Sequence, residues 1–100
     1  MPKLYDVAHC RAGDKGDTCI LSLIAYDPAD YPLLLERVTV DAVRQHMGNI
    51  VQGDICRHEL DGLHALQFVC AHALGGGVTT SLALDAHGKS LSFALLEMEI

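Results

Sequence analysis

Tryptophan is missing from this sequence, and only three tyrosines and two phenylalanines are present. Half of the residues are hydrophobic, so the core must be aliphatic, built from Leu, Val, Ile and Ala. Basic residues are scarce too. Seven Lys and Arg stand against thirteen Asp and Glu, a formal net charge of -6. Nucleic-acid binding rests on clustered Lys and Arg that neutralise phosphates, so this balance argues against a nucleic-acid partner. It argues equally against an anionic membrane surface. No apolar run approaches the roughly 18–20 residues of a spanning helix. The opening MPKLYDVAHC leads into no apolar stretch of signal-peptide length. The expected setting is therefore the cytoplasm, where the four cysteines read as reduced thiols.

Internal repeats, low-complexity tracts and long linkers are also absent. Residues 1–100 read as one domain, a size that supports a single compact core. Residues 4–10 suggest a first strand by mixed alternation. Residues 19–26, CILSLIAY, suggest a buried central strand, although periodicity alone leaves a buried helix open. Asp27-Pro28 then punctuates the chain. Leu34, Leu35 and Val38 lie at helical spacing in a short helix over 30–37. Thr39 is placed to cap a second helix over Val40–Met47, stopped by Gly48-Asn49. Strands are expected over Ile55–Leu60 and 65–73, joined by a hairpin at Asp61-Gly62. A further strand is expected over 79–84 and a turn over 85–89. Ser90 is a candidate cap for a last helix over 91–98, with a strand as the alternative there. Strands alternating with helices in this length predict an α+β sandwich: one sheet with helices mainly on one face.

Two segments could carry chemistry. RAGDKGDT, residues 11–18, puts four charges and two glycines between apolar runs. Gly13 and Gly16 permit positive φ or close backbone approach. Backbone N–H groups of such a turn, with Arg11 and Lys15, could hold an anion. The spacing is not that of a phosphate-binding Walker loop, and Asp14 and Asp17 would repel a phosphate. The plain alternative is a tight connection in which the Asp side chains cap local N–H groups. The second segment, LGGGVTT, carries Gly75, Gly76 and Gly77 beside hydroxyl residues. It reads either as a ligand-approaching loop or as a hairpin connection. Economy of backbone predicts that the two glycine-rich segments line one concavity at one end of the sheet.

A metal site is the weaker reading. Cys56 and His58, and likewise Cys70 and His72, alternate on predicted strands. A hairpin centred near Leu63 would place Cys56 opposite Cys70, on one face. Yet no CxxC or HExxH occurs, and buried strand thiols are ordinarily inert. No metal and no cofactor are expected. A nucleophile elbow of the GxSxG type is absent.

Six stretches carry a family resemblance: RAGDKGD at 11–17, YPLLLERVT at 31–39, RHELDGLHALQFVC at 57–70, ALGGG at 73–77, SLALDAHGK at 81–89 and LLEMEI at 95–100. Taken in order, they resemble the AtuA-like ferredoxin-fold domain. That domain lies at the C-terminus of acyclic terpene utilisation proteins, and also occurs as a short protein beside a larger AtuA-type partner. The sequence departs from the family pattern at Ala12, His58, Asp61, Gln67 and Ala83, where Ser, Tyr, Pro, Asn and Arg are usual. The resemblance implies a ferredoxin-like fold and a link to acyl-CoA or terpenoid-acid catabolism, without a known reaction. It also raises Arg11, Gly13, Asp14, Lys15, Gly16 and Asp17, with Gly75, Gly76 and Gly77, as ligand- or partner-binding residues. Two functions follow as expectations: an accessory module of a larger AtuA-type subunit, or a stand-alone binding protein or enzyme that takes an acyl-CoA or carboxylate with the RAGDKGD and LGGG loops. A small domain this rich in apolar residues is further expected to form a homodimer.

Overall fold

The computed structural model describes residues 3–15, 18–48, 51, 53–71 and 89–100, and the side chains of Asp14, Lys89 and Ser90 fall outside that description. Four strands form one antiparallel sheet: β1 (Ala8–Lys15), β2 (Thr18–Ala25), β3 (Ile55–Leu60) and β4 (Ala65–Cys70), in the order β1-β2-β4-β3. Helices α1 (Tyr31–Arg37), α2 (Val40–Met47) and α3 (Lys89–Leu96) pack on one side of it. β2 and β3 run the same way with β4 antiparallel between them, so β2, the helices and β3 form a split β-α-β unit. That unit is the hallmark of a ferredoxin-like α+β fold.

The core lies between sheet and helices. β2 alternates strictly: Cys19, Leu21, Leu23 and Ala25 are buried toward the helices, while Thr18, Ile20, Ser22 and Ile24 are half-buried on the other face. This period-2 pattern excludes the buried helix, and it limits full burial to one face of the strand. Phe68 of β4 stands opposite Leu21 at the centre of the core, with Leu34, Val43, Leu91 and Leu95 above.

The first strand differs from expectation. Of the expected residues 4–10, only 8–10 belong to it. Lys3, Leu4 and Asp6 close a short 3-10 turn, in which the Asp6 carboxylate accepts the Lys3 N–H at 3.0 Å. β1 then starts at Ala8 and runs through Arg11 to Lys15, directly opposite Thr18. The physical reason is alternation. Ala8, Cys10 and Ala12 are small and apolar at every second position, and they let α3 lie close against β1. The motif expected as a loop is therefore mostly an edge strand.

Helix boundaries follow local chemistry. The Thr39 hydroxyl accepts the Ala42 N–H at 3.1 Å at the start of α2, and Gly48 ends that helix at φ 58°. α3 is a helix, not a strand. It begins at Lys89, so Ser90 lies within it rather than capping it. The β3–β4 connection uses a 3-10 turn over Asp61–Leu63, and His64 rather than Gly62 takes the left-handed conformation. The tyrosine that opens α1 anchors this turn. The buried Tyr31 hydroxyl donates to Asp61 Oδ1 at 2.7 Å and lies 3.2 Å from the Ala65 carbonyl oxygen, and its ring meets His64 edge-on.

Hairpin closure at Leu60–Ala65 also fixes the register. Cys56 stands opposite Val69, and Cys70 opposite Ile55. The expected pairing of Cys56 with Cys70 is off by one residue, and one residue moves a side chain to the other face. Cys56 is exposed, Cys70 fully buried, and the four-ligand face does not form. His72 and the strand expected over 79–84 lie outside the described residues.

Candidate functional site

Strand alternation sorts the sheet residues into two faces. The face away from the helices carries three rows across the strands. Arg11, Ser22, Gln67 and His58 make a polar row. On one side of it lie Gly13, Ile20, Val69 and Cys56, and on the other His9, Ile24, Ala65 and Leu60. Lys15 and Thr18 close the β1–β2 end. Ile20, Ile24, Leu60 and Val69 are half-buried, while Arg11, Gly13, Lys15, Cys56 and His58 are exposed. Beyond the far row, exposed Tyr26 stacks on His9 with ring centroids 5.3 Å apart, and Leu63 is 68% exposed. The result is a mixed surface: two aliphatic clusters, Ile20 with Val69 and Ile24 with Leu60, on either side of the polar pair Ser22 and Gln67, with Arg11, Lys15 and His58 on the outer strands.

Arg11, Gly13 and Lys15 thus share one face of the edge strand β1. Asp14 pairs with Cys19 in the ladder and takes the alternate register, so it does not join them. Gly16, Asp17, Gly75, Gly76 and Gly77 lie outside the described residues, as does the concavity expected between the two glycine-rich segments. Gly13 has no positive φ, and a Cβ added there would meet nothing within 4 Å. Among the described residues, neither a strained turn nor packing asks for glycine at that position.

Sequence reasoning missed a second feature. A cavity of about 550 Å³ opens between α2 and the C-terminal segment. Arg37, Gln45, His46, Glu97 and Glu99 line it, with Met98 among its apolar contacts. His46 Nε2 lies 2.6 Å from the Ala94 carbonyl oxygen. A carbonyl only accepts, so Nε2 carries a proton and the neutral ring keeps its lone pair on Nδ1. Glu97 is held by Lys3 at 2.7 Å, and this contact raises the Lys3 pKa above its ordinary value. None of the candidate ligand- or partner-binding residues lines the cavity. The available signal was the alternation of LLEMEI, which puts Glu97 and Glu99 on one side of an extended segment.

A family model of the AtuA ferredoxin-like domain matches residues 2–100. The chain belongs to that family. Searches of the curated proteins and of the solved structures each returned no match.

The cysteines of this AtuA ferredoxin-like domain are built into its core more than its surface. Burial pushes the Cys10 thiol up to about 12 and the Cys70 thiol up to about 11. Both are protonated at neutral pH and are poor nucleophiles or metal ligands. Among the described residues, no group of three or more His, Cys, Asp or Glu is placed to hold a metal ion. No described helix is long and apolar enough to cross a membrane. Within the described part of the domain, the sheet face and the cavity are the two features suited to recognition.

Proposed function

We propose that this AtuA ferredoxin-like domain is an accessory module that docks on a larger AtuA-type protein through the sheet face opposite its helices. It would thereby serve a reaction of acyl-CoA or terpenoid-acid catabolism carried out by that larger protein. The observation that carries the reading is two aliphatic clusters on that face, Ile20 with Val69 and Ile24 with Leu60, separated by the polar pair Ser22 and Gln67 and bordered on the outer strands by Arg11, Lys15 and His58. Protein interfaces are commonly mixed in this way, with apolar clusters interleaved with polar groups that can hydrogen-bond to the partner. The border also gives the family-matching Arg11, Gly13 and Lys15 a shared task.

The test mixes the purified chain with the larger AtuA-type protein of its source organism and measures binding by calorimetry. Ile20→Asp should weaken the complex at least about tenfold, since it puts a charge in one of the two aliphatic clusters. Its far-UV circular dichroism should stay native, because Ile20 is on the half-buried face. Light scattering of the chain alone should give the mass of a dimer. Failure of the two proteins to associate would end the accessory reading.

The cavity favours a second reading, a stand-alone protein that binds a small carboxylate through Arg37. Its volume lies within the ordinary range for small-molecule sites. A carboxylate or acyl-CoA that occupies it should raise the melting temperature, and Arg37→Ala should abolish the rise. Equal shifts in both proteins would remove Arg37 from the account.

A further inference from the structure

The sheet face also has a sign. In the four strands the acidic residues are Asp14 and Glu59, and both take the register that faces the helices. The opposite face holds Arg11, Lys15, His9 and His58 and no strand acid. That is unexpected in a chain with thirteen acids and seven bases.

Internal pairing sharpens the contrast. Lys3 bonds to Glu97, Arg37 approaches Glu36, and Arg57 bonds to Glu59. Arg44 donates to the carbonyls of Val51 and Gly53. Among the basic side chains described, Arg11 and Lys15 make no ion pair or side-chain hydrogen bond with any residue whose side chain is described. They stand on the same face of one edge strand, about 13 Å apart along it. Between them is Gly13, with open space where a side chain would be. The β1 border is therefore cation, gap, cation, next to the aliphatic row of Ile20 and Val69.

We infer that the docking partner presents an apolar patch edged by Asp or Glu carboxylates, which pair with Arg11 and Lys15 while a partner group seats over Gly13. The inference rests on the docking reading and names the chemistry of its partner. A second copy of this chain fits the face poorly, because its matching surface has the same sign and lacks strand acids. A nucleic acid or an anionic lipid layer fits poorly as well. Either is an extended polyanion that would face much of a chain of net charge -6, whereas a protein patch no larger than this face meets chiefly the cations along β1.

The experiment measures the association and dissociation rates of the chain with the larger AtuA-type protein at about 0.05 M and about 0.5 M sodium chloride. For the unaltered chain, the association rate should fall at least about tenfold at the higher salt. The double variant Arg11→Glu, Lys15→Glu should lose a similar factor at low salt and lose the salt dependence. Both residues are exposed strand positions, so circular dichroism should report an unchanged fold. Gly13→Val should weaken the complex while leaving the fold intact. If the complex forms with an affinity indifferent to salt and to the charge reversal, docking stands and the acidic partner is refuted. If no complex forms, both fall. A face-to-face homodimer that survives Arg11→Glu would also overturn the proposal.

Discussion

Raising the pH from neutrality to about 12 should unfold this domain cooperatively, with the loss beginning near pH 9. Three groups drive it. Burial moves the Cys10 thiol from an ordinary value near 9 up to about 12, and the Cys70 thiol from the same value up to about 11. Burial, with the hydrogen bond to Asp61, moves the Tyr31 hydroxyl from 10 up to about 12. Each folded group holds its proton to a higher pH than the unfolded chain does. The stability they contribute is therefore complete below pH 9 and is lost as the pH rises through the folded values. Each unit of displacement corresponds to about 1.4 kcal/mol. With a discount for the partial exposure of Cys10, the combined loss is on the order of 5 kcal/mol, comparable with the whole stability of a small domain. Circular dichroism and thiolate absorbance against pH would follow the transition together. The double variant Cys10→Ala, Cys70→Val should delay its onset by about one pH unit, leaving Tyr31 to carry the remainder. A native spectrum retained at pH 12 would contradict the assignment of these buried protons.

Replacing Arg57 by Ala should cost about 3 kcal/mol. Arg57 sits on β3, with its side chain 18% exposed and directed at the end of α1. Nη1 donates to the carbonyls of Leu35 at 3.0 Å and Val38 at 2.9 Å, and Nη2 donates to Glu59 at 2.9 Å. A helix leaves its last carbonyls without partners and carries partial negative charge there. A guanidinium from another strand satisfies both needs and ties α1 to the sheet edge. Chemical denaturation should show a lower midpoint with an unchanged slope. Arg57→Lys should recover only part of the loss, because an ammonium lacks the planar fork that reaches two carbonyls and a carboxylate. Glu59→Gln should cost less than about 1 kcal/mol, since its side chain is half exposed. A loss below about 1 kcal/mol for Arg57→Ala would reduce the contact to a surface pair.

Much of this architecture is written locally. Thr39 and Gly48 bound α2 because a side-chain oxygen and a glycine satisfy helix ends without help from the rest of the chain. The apolar strand at β2, the β3–β4 hairpin and the α+β class are visible for the same reason, since propensity and periodicity act over a few residues. The six ordered motifs carried the family. Tertiary structure decided the rest. The charges of RAGDKGDT suggested a loop, but packing against α3 selects the alternating Ala8, Cys10 and Ala12 and makes Arg11 to Lys15 a strand edge. One residue of register separates Cys56 from Cys70, and only closure of the hairpin chooses it. The sign of the sheet face away from the helices comes from strand order, which places His58 and Arg11 at opposite ends of one row. The cavity joins Arg37, His46 and Glu97, and Arg57 caps a helix that ends twenty residues before it. Such long-range meetings leave no periodic trace in a sequence, because they are set by which surfaces the core buries.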